Sequence, residues 1–308
     1  MTDRASPASV RARLLNLARA RGEQLEFVLT KYANERLLYR LSKSPHRDRF
    51  ILKGAMLFEI WGDAPHRPTR DIDLLSVGDL AIDRLEEIVR SVSVQPVEPD
   101  GIRYQPDSVR GAPIREDRPY HGARIRLLAE LEGARISLQV DVGFGDVITP
   151  GARSERLATL LEFPAPVMRV YPPETVIAEK FEAMVRLGIA NTRMKDFQDI
   201  FQLARTKGFD GALLRDAVSA TFRRRGTPIP TAPPFALTDE FAQDQAKQAQ
   251  WRAFASGAGN TCGDLTLPAV VEALRAFIVP LLEAADTEAL VGRRWTPAGK
   301  WHPITDSA

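Results

Sequence analysis

The sequence predicts a mixed α/β fold, in which a core with a small mixed sheet is packed against a mainly helical C-terminal half. Residues 71–75 and 135–142 alternate apolar and polar side chains, which is the period of a half-buried strand. Residues 9–43 and 173–206 instead repeat apolar side chains at helical spacing. At 308 residues with 44% hydrophobic content, the chain can bury one large core or two closely packed ones.

The composition excludes several classes of protein. Lys plus Arg total 42 against 40 for Asp plus Glu, so any basic surface for a nucleic acid must be local. The single cysteine, Cys262, rules out an intramolecular disulfide framework. No stretch approaches the ~18 apolar residues that a membrane span needs. We therefore expect a cytoplasmic protein without a membrane partner.

The first elements along the chain are two amphipathic helices between Ser9 and Lys43. We predict that the basic side chains on them are solvated rather than bound to phosphates. These side chains are Arg11, Arg13, Arg19, Arg21 and Arg40. The apolar run from Phe50 to Leu52 then forms either a strand or the lead-in to a turn at Gly54.

The most informative stretch runs from Lys53 to Leu75. A Gly-Ala pair precedes a short helical pattern, a polar turn with Pro65 and Pro68 follows, and Asp-Ile-Asp-Leu then alternates as a strand. Asp71 and Asp73 therefore share one face of the strand. At ~4 Å and an effective dielectric constant of about 20, their repulsion approaches ~4 kcal/mol, so such a pair is solvated, shares a proton or binds a cation such as Mg²⁺.

Gly54 and Ala55 indicate a phosphate site, because small residues at the start of a helix let backbone N–H groups approach a phosphate. The string of Lys53, Gly54 and Ala55, a helix, and Arg-Asp-Ile-Asp-Leu resembles the nucleotidyltransferases of the DNA polymerase beta type. Within them it looks most like the AbiEii/AbiGii toxin family, which includes the mycobacterial MenT toxins. Ala55 departs from the family pattern, which has Gly or Ser there, so a hydroxyl contact is lost while a backbone contact is kept.

A packing helix is predicted over Ile82–Val92, and strands with turns over Ile102–Ala129. Arg124 and Arg126 flank Ile125, so a strand would present both guanidinium groups on one face. Six arginines fall in this region, namely Arg103, Arg110, Arg115, Arg118, Arg124 and Arg126.

The strand predicted over Arg135–Val142 ends its polar face at Asp141. In the family that the chain resembles, a third carboxylate comes from the strand beside Asp-x-Asp. The resemblance therefore implies that Asp141 joins Asp71 and Asp73, although a plain carboxylate at the end of a strand is the alternative.

We place a core at residues 1–165 and a helical C-terminal region at residues 166–308. A linker or short strand is predicted over Pro164–Tyr171, at the boundary between them. A helix starts at the Pro-Pro-Glu-Thr sequence, and its Lys180 matches the Glu-Lys motif of the family. The next helix carries Asp196 and Asp199, which share one side. By resemblance Asp196 is the functional candidate, and a role for Asp199 stays open.

Beyond Gly208 the patterns predict helices over 213–222, 241–254 and 267–290, with Pro280 breaking the last, and an irregular tail from Arg293. The cluster of Arg223, Arg224 and Arg225 fits an RNA backbone as well as it fits a solvated helix end.

The resemblance implies transfer of a nucleoside monophosphate from a nucleoside triphosphate (NTP) to a hydroxyl group. Asp71, Asp73 and Asp141 would hold Mg²⁺ or Mn²⁺, and Asp141 would help to take the proton of the hydroxyl. The implied contacts to the nucleotide are Lys53, Gly54, Ala55 and Lys180. Lys180 would neutralise the departing pyrophosphate, and Asp196 would orient Lys180 or the base.

The family also implies an acceptor and a partner. The acceptor would be the 3′ end of a tRNA, whose modification would block translation, and the partner would be an antitoxin protein. Thr69 stands two residues before Asp71, and a phosphate on Thr69 would place about −1.5 to −2 charges beside the metal ligands. Phosphorylation of Thr69 would then silence the enzyme.

Three alternatives compete with this interpretation. The same core chemistry would nucleotidylate a protein hydroxyl, as AMP-transferring enzymes do. A glycosyltransferase also uses Asp-x-Asp, but Gly54 and Asp141 would then be unexplained. A degenerate fold that only binds a nucleotide or partner is the non-enzymatic alternative, and Ala55 is its main support.

Overall fold

Two sheets organise the chain, one in each of two compact units. The first unit comprises Met1–Asp146 and Arg153–Val170, and the second comprises Val147–Ala152 and Tyr171–Ala308. The computed structural model describes residues 4–61, 69–114, 122–257, 262–283 and 292–304. Pro65, Pro68, Arg115 and Arg118 lie outside the described residues, as do the predicted helical positions 284–290.

The first unit confirms the predicted mixed α/β class. Its elements are α1 (Pro7–Arg21), α2 (Leu25–Lys43), β1 (Phe50–Lys53), α3 (Leu57–Trp61), β2 (Asp71–Ser76), α4 (Ile82–Ser93), β3 (Arg103–Ile114), β4 (Gly122–Leu131), β5 (Ala134–Phe144), β6 (Arg153–Arg156) and β7 (Val167–Val170). Its strands form one sheet in the order β3-β4-β5-β2-β1-β7-β6. Residues 50–52, predicted as a strand or the lead-in to a turn, lie in the strand β1. The segment 164–171, predicted as a linker or short strand, contains the strand β7.

The centre of this sheet brings the predicted carboxylate strands together. β2 runs parallel to β5 and antiparallel to β1. One face of β4 and β5 is buried, because Ile125, Leu127, Leu138 and Val140 are each at most 3% exposed. The opposite face therefore carries the polar positions of both strands.

β3 lies at the edge of the sheet and contains Pro106 and Pro113. The pairing of β3 with β4 shifts register between Gln105 and Arg110, and Pro106 lies within that irregularity. An edge strand tolerates proline because one side of its backbone needs no partner.

α2 is more deeply buried than its amphipathic pattern predicted. Arg40, expected to be solvated, is 7% exposed, and its guanidinium donates to both carboxylate oxygens of Asp100 at 2.6 and 3.0 Å. Arg36 is fully buried and donates from Nε to the same carboxylate at 3.0 Å. The pairing with a buried acid is what allows these charges inside the unit.

Glu35, also on α2, gives the first unit a pH dependence. Its Oε2 accepts a hydrogen bond from the backbone N–H of Leu160 at 2.7 Å, and burial raises the pKa of the carboxyl from 4.5 to about 7. The stability contributed by proton binding is therefore full below about pH 4.5 and is lost as the pH rises through about 7. We expect the urea concentration at the midpoint of unfolding to decrease as the pH is raised from about 5 to about 8. Glu35→Gln should make this decrease smaller. An equally steep fall in the variant would contradict this assignment.

The second unit is mainly helical, as predicted. It contains α5 (Pro173–Leu187), α6 (Met194–Thr206), β8 (Phe209–Asp210), α7 (Gly211–Arg225), α8 (Asp239–Gln243), α9 (Gln245–Ala255), α10 (Leu267–Glu283), β9 (Arg293–Thr296) and β10 (Lys300–Pro303). Among the helices of the described ranges, none is both long and apolar enough to cross a membrane.

Three predictions for this unit were wrong. The helix expected over 241–254 is divided at Asp244, whose carboxylate caps α9 by accepting the Lys247 N–H at 2.8 Å. Pro280 does not break α10, because the next two side chains, Leu281 and Leu282, are buried by packing. The tail is a hairpin rather than irregular, since Trp295 is 3% exposed against Phe277, with ring centroids 4.7 Å apart.

Candidate active site

The predicted site residues are divided between the two units. Asp71, Asp73, Asp141, Lys53 and Gly54 lie in the first unit. Lys180, Asp196 and Asp199 lie in the second unit.

Asp71 and Asp73 are half-buried on one face of β2, while Ile72 and Leu74 are buried on the other. The parallel pairing places Asp141 of β5 directly beside Asp73. Neighbours in register on adjacent strands share a face of the sheet, so the three predicted carboxylates belong to one polar surface.

Gly54 stands directly against Asp73. Its φ is +76°, a conformation that side chains disfavour, and an ideal Cβ there would lie 2.1 Å from Oδ2 of Asp73. The absence of a side chain at Gly54 thus makes room for the carboxylate. Ala55 is 5% exposed, and α3 begins two residues later, at Leu57.

Replacing Gly54 with Ala separates space from backbone strain. The new methyl must displace the Asp73 carboxylate, so we expect the catalytic activity that the sequence resemblance implies to fall about 100-fold, as it does when reacting groups are misplaced. Gly133→Ala is the matched control, because Gly133 has a φ of +73° but nothing within 4 Å of its Cβ position. Both variants should lose about 1 kcal/mol of stability from the left-handed backbone. Equal activity in the two would show that the contact with Asp73 has no catalytic consequence.

Arg124 holds Asp141 in a two-pronged ion pair. Nε and Nη2 of the guanidinium donate to Oδ1 and Oδ2 at 2.9 and 2.7 Å. The hydrogen bonds to Asp141 are the main cause that raises the pKa of Arg124, and the charges of Asp71 and Asp73 add to it. The sequence paired Arg124 with Arg126 on one face but did not predict its bond to Asp141, because the pairing of β4 with β5 was not known.

The three carboxylates provide only hard oxygen donors, which is the chemistry that Mg²⁺ and Mn²⁺ prefer. Within the described ranges, however, no group of three or more His, Cys, Asp or Glu side chains is arranged to hold a metal ion. Both oxygens of Asp141 are occupied by Arg124. The chemistry of these donors fits a divalent cation. A site made of all three carboxylates, however, requires Arg124 to share or release the oxygens of Asp141.

Lys53 and Thr69 lie near this surface. Lys53 pairs in register with Asp73, and its Nζ lies 3.1 Å from Oδ2 of Asp146, a partner that the sequence did not indicate. Thr69 is partly exposed and precedes β2, which begins at Asp71. Its hydroxyl lies 3.5 Å from the backbone oxygen of Asp71.

The second unit holds Lys180 between two acids. Its Nζ lies 2.7 Å from Oδ1 of Asp196 and 2.7 Å from Oδ2 of Asp199, and both aspartates are fully buried. Burial by itself raises the pKa of the Asp196 carboxyl, but Lys180 and Arg193 outweigh it and lower the pKa below its ordinary value. Asp199, left open by the sequence, is thus the second partner of Lys180.

The three arginines in the last turn of α7 differ in their exposure. Arg225 donates to Glu182 at 2.9 Å and lies 3.3 Å from Glu179, with a side chain only 7% exposed. This buried pairing does not suit a contact to RNA, whereas Arg223 and Arg224 are exposed.

Comparison with known proteins gives one family and two structures. The model of the family described as "Nucleotidyl transferase AbiEii toxin, Type IV TA system" matches residues 36–276. Two crystal structures of Helicobacter pylori proteins are similar at 15% identity and a TM-score of 0.46. One, assigned as a nucleotidyltransferase, aligns over 80% of this chain and 91% of its own; the other, JHP933, aligns over 82% and 92%. No curated protein matches the chain.

Proposed function

Because this chain belongs to the AbiEii family of nucleotidyltransferase toxins, we propose that it transfers a nucleoside monophosphate from an NTP to a hydroxyl group of an RNA. The acceptor is the 3′ end of a tRNA, which can then no longer be charged, so translation stops. The protein acts in the cytoplasm, and an antitoxin protein is its partner.

One observation carries the proposal. Asp73 lies between Asp141 of the parallel neighbour β5 and the bare backbone of Gly54. Two neighbouring carboxylates beside a close backbone approach are what a reaction at a phosphate requires, since phosphoryl chemistry depends on positioning and on compensation of charge.

The reaction joins the acceptor oxygen to the α-phosphorus of the NTP and breaks the bond from that phosphorus to the oxygen that bridges the α- and β-phosphates. Pyrophosphate leaves with the electron pair of the broken bond. Asp71, Asp73 and Asp141 are the residues that would hold Mg²⁺ or Mn²⁺. A bound divalent cation would offset the negative charge of the phosphates and the attacking oxygen.

The chain's own groups have separate tasks in this proposal. Asp141 accepts the proton of the attacking hydroxyl, and Arg124 orients Asp141 through its fork of hydrogen bonds. Gly54 keeps the backbone close to the phosphates, with Ala55 and Lys53 as further nucleotide contacts. By family resemblance Lys180 balances the charge on pyrophosphate, and its ion pair with Asp196 supports an orienting role for that aspartate.

Labelled nucleotides test the proposal directly. Wild type and Asp71→Ala are incubated with Mg²⁺, total RNA and cell protein, and each α-labelled NTP in turn. We expect label on RNA that the variant does not produce, and the productive NTP identifies the donor. Label on protein would instead establish nucleotidylation of a protein hydroxyl, and no label with any NTP would favour a binding module.

Thr69 provides a regulatory prediction within this function. A charge introduced next to Asp71 repels both metal-binding carboxylates and the triphosphate, so Thr69→Glu is expected to lower the transfer rate by at least about tenfold. Thr69→Val, which cannot be phosphorylated and adds no charge, should keep it. Undiminished transfer by the glutamate variant would remove phosphorylation of Thr69 as an inhibitory device.

A further inference from the structure

The surface that carries Asp71 and Asp73 continues across three more strands of the sheet. The pairings place Asp71 beside Gln139 of β5, Gln139 beside Arg126 of β4, and Arg126 beside Arg110 of β3. Side chains opposite one another share a face, so these four form a single row across the sheet. Adjacent strands are about 4.8 Å apart, which places the Arg126 backbone ~10 Å and the Arg110 backbone ~14 Å from Asp71.

The pair of Arg110 and Arg126 is not explained by the fold. Both side chains are exposed, and Arg126 makes no ion pair or side-chain hydrogen bond within the part of the chain that the structure describes. Among the described residues, Arg110 donates from Nη1 to the backbone oxygens of Asp107 and Val109, and its charge adds to the Gly111 N–H and Arg90 in lowering the pKa of the Glu86 carboxyl. Like charges directly opposite one another destabilise a sheet, so an external anion is the natural partner.

The row also has a direction. Lys53 and Gly54 lie on the β1 side of the carboxylates, whereas Arg126 and Arg110 lie on the β4 and β3 side. The donor triphosphate is assigned to Lys53 and Gly54, so the arginines lie on the side left for the acceptor. Two cations beyond the reacting carboxylates suit consecutive phosphates of a polymer.

We propose that Arg110 and Arg126 bind the phosphodiester backbone of the RNA acceptor and lead its 3′ end toward Asp71 and Asp73. This assignment rests on the proposed transfer to RNA, and it adds the surface that holds the acceptor. The contacts are to phosphates, so they position the RNA without reading its bases.

The test measures RNA binding apart from catalysis. The full chain is titrated against a 5′-fluorescein hairpin RNA with a single-stranded 3′ end, without NTP, in about 50 to 200 mM KCl. Arg110→Gln/Arg126→Gln is expected to weaken binding about tenfold at the lowest salt. The slope of log affinity against log salt concentration should be smaller in magnitude by about 1 to 2, because each lost phosphate contact reduces this slope by about 0.7 to 0.9.

Arg103→Gln is the matched control. Arg103 lies on the same edge strand and is paired with Glu130 at 2.7 Å, so its replacement removes one positive charge outside the row, half of what the double variant removes. We expect its affinity to stay within about twofold of wild type. Arg126→Lys, which keeps the charge, should retain most of the affinity, and unchanged thermal melting of the double variant will show that it folds.

The outcomes separate this proposal from the proposed function. RNA labelling by wild type with unchanged RNA binding by the double variant overturns the surface and leaves the transferase. Loss of binding confined to the double variant supports the surface even when no label reaches RNA, a result that overturns the transferase. Equal losses in Arg103→Gln, or a wild type that binds no RNA, overturn the surface.

Discussion

Replacing Asp73 with Asn is expected to reduce nucleotidyl transfer by about 10³-fold or more. The amide keeps the shape of the side chain beside Gly54 but removes the negative charge that would hold a divalent cation at the reacting phosphate. The measurement is the initial rate with the NTP and the acceptor that the labelling experiment identifies. Binding of Mn²⁺, followed by its paramagnetic resonance signal, should weaken in parallel.

Asp107→Asn is the control for this change. Asp107 is an exposed residue of β3 in the same sheet, and it undergoes the same chemical replacement outside the carboxylate surface. Its rate should stay within about twofold of wild type. An Asp73→Asn protein that keeps a tenth of the activity would exclude this carboxylate from the reacting centre.

The second large effect concerns stability. Lys180→Met leaves Asp196 and Asp199 fully buried without the ammonium that lies 2.7 Å from each. Removing one member of a buried ionic cluster costs roughly 3–5 kcal/mol, because both carboxylates stay buried while one compensating charge is lost and Arg193 alone still contacts Asp196 among the pairs given above. We expect a loss of this order in the free energy of unfolding at neutral pH, measured with urea. By family resemblance, transfer to RNA should be lost as well.

Two further variants identify the cause. Lys180→Met/Asp199→Asn removes one of the two buried carboxylate charges and should recover part of the lost stability. Glu272→Gln removes only an exposed ion pair with Arg275 in the same unit, so its effect should stay within about 0.5 kcal/mol. A Lys180→Met protein as stable as wild type would show that the cluster needs no cation.

The sequence pattern correctly predicted features that depend on a single strand or helix. Alternation placed Asp71 and Asp73 on one face of β2, and it placed the buried side chains of β5 correctly. Gly54 was predicted to let the backbone approach a phosphate, and the structure shows in addition that it lies against Asp73. The family, confirmed by the match over residues 36–276, was recognised from the same short string.

Other features depended on which elements meet. The same residue types gave no sign that Arg40 is buried against Asp100, that Trp295 packs against Phe277, or that Arg124 is bonded to Asp141. Each of these pairs joins residues separated by 17 to 60 positions. A periodic pattern reports only on neighbours three or four residues apart in a helix, or two apart in a strand.

The sequence by itself therefore determined the class of fold, the chemistry of the candidate residues and the face on which each strand presents them, because these follow from local periodicity. The tertiary structure decided which charges meet: Asp141 is paired with Arg124 and Lys180 with Asp199, whereas Arg126 lies opposite the like charge of Arg110. The physical reason is that strand register and helix packing are set by burial of the whole apolar surface of a unit, a property of the folded chain that no short stretch contains.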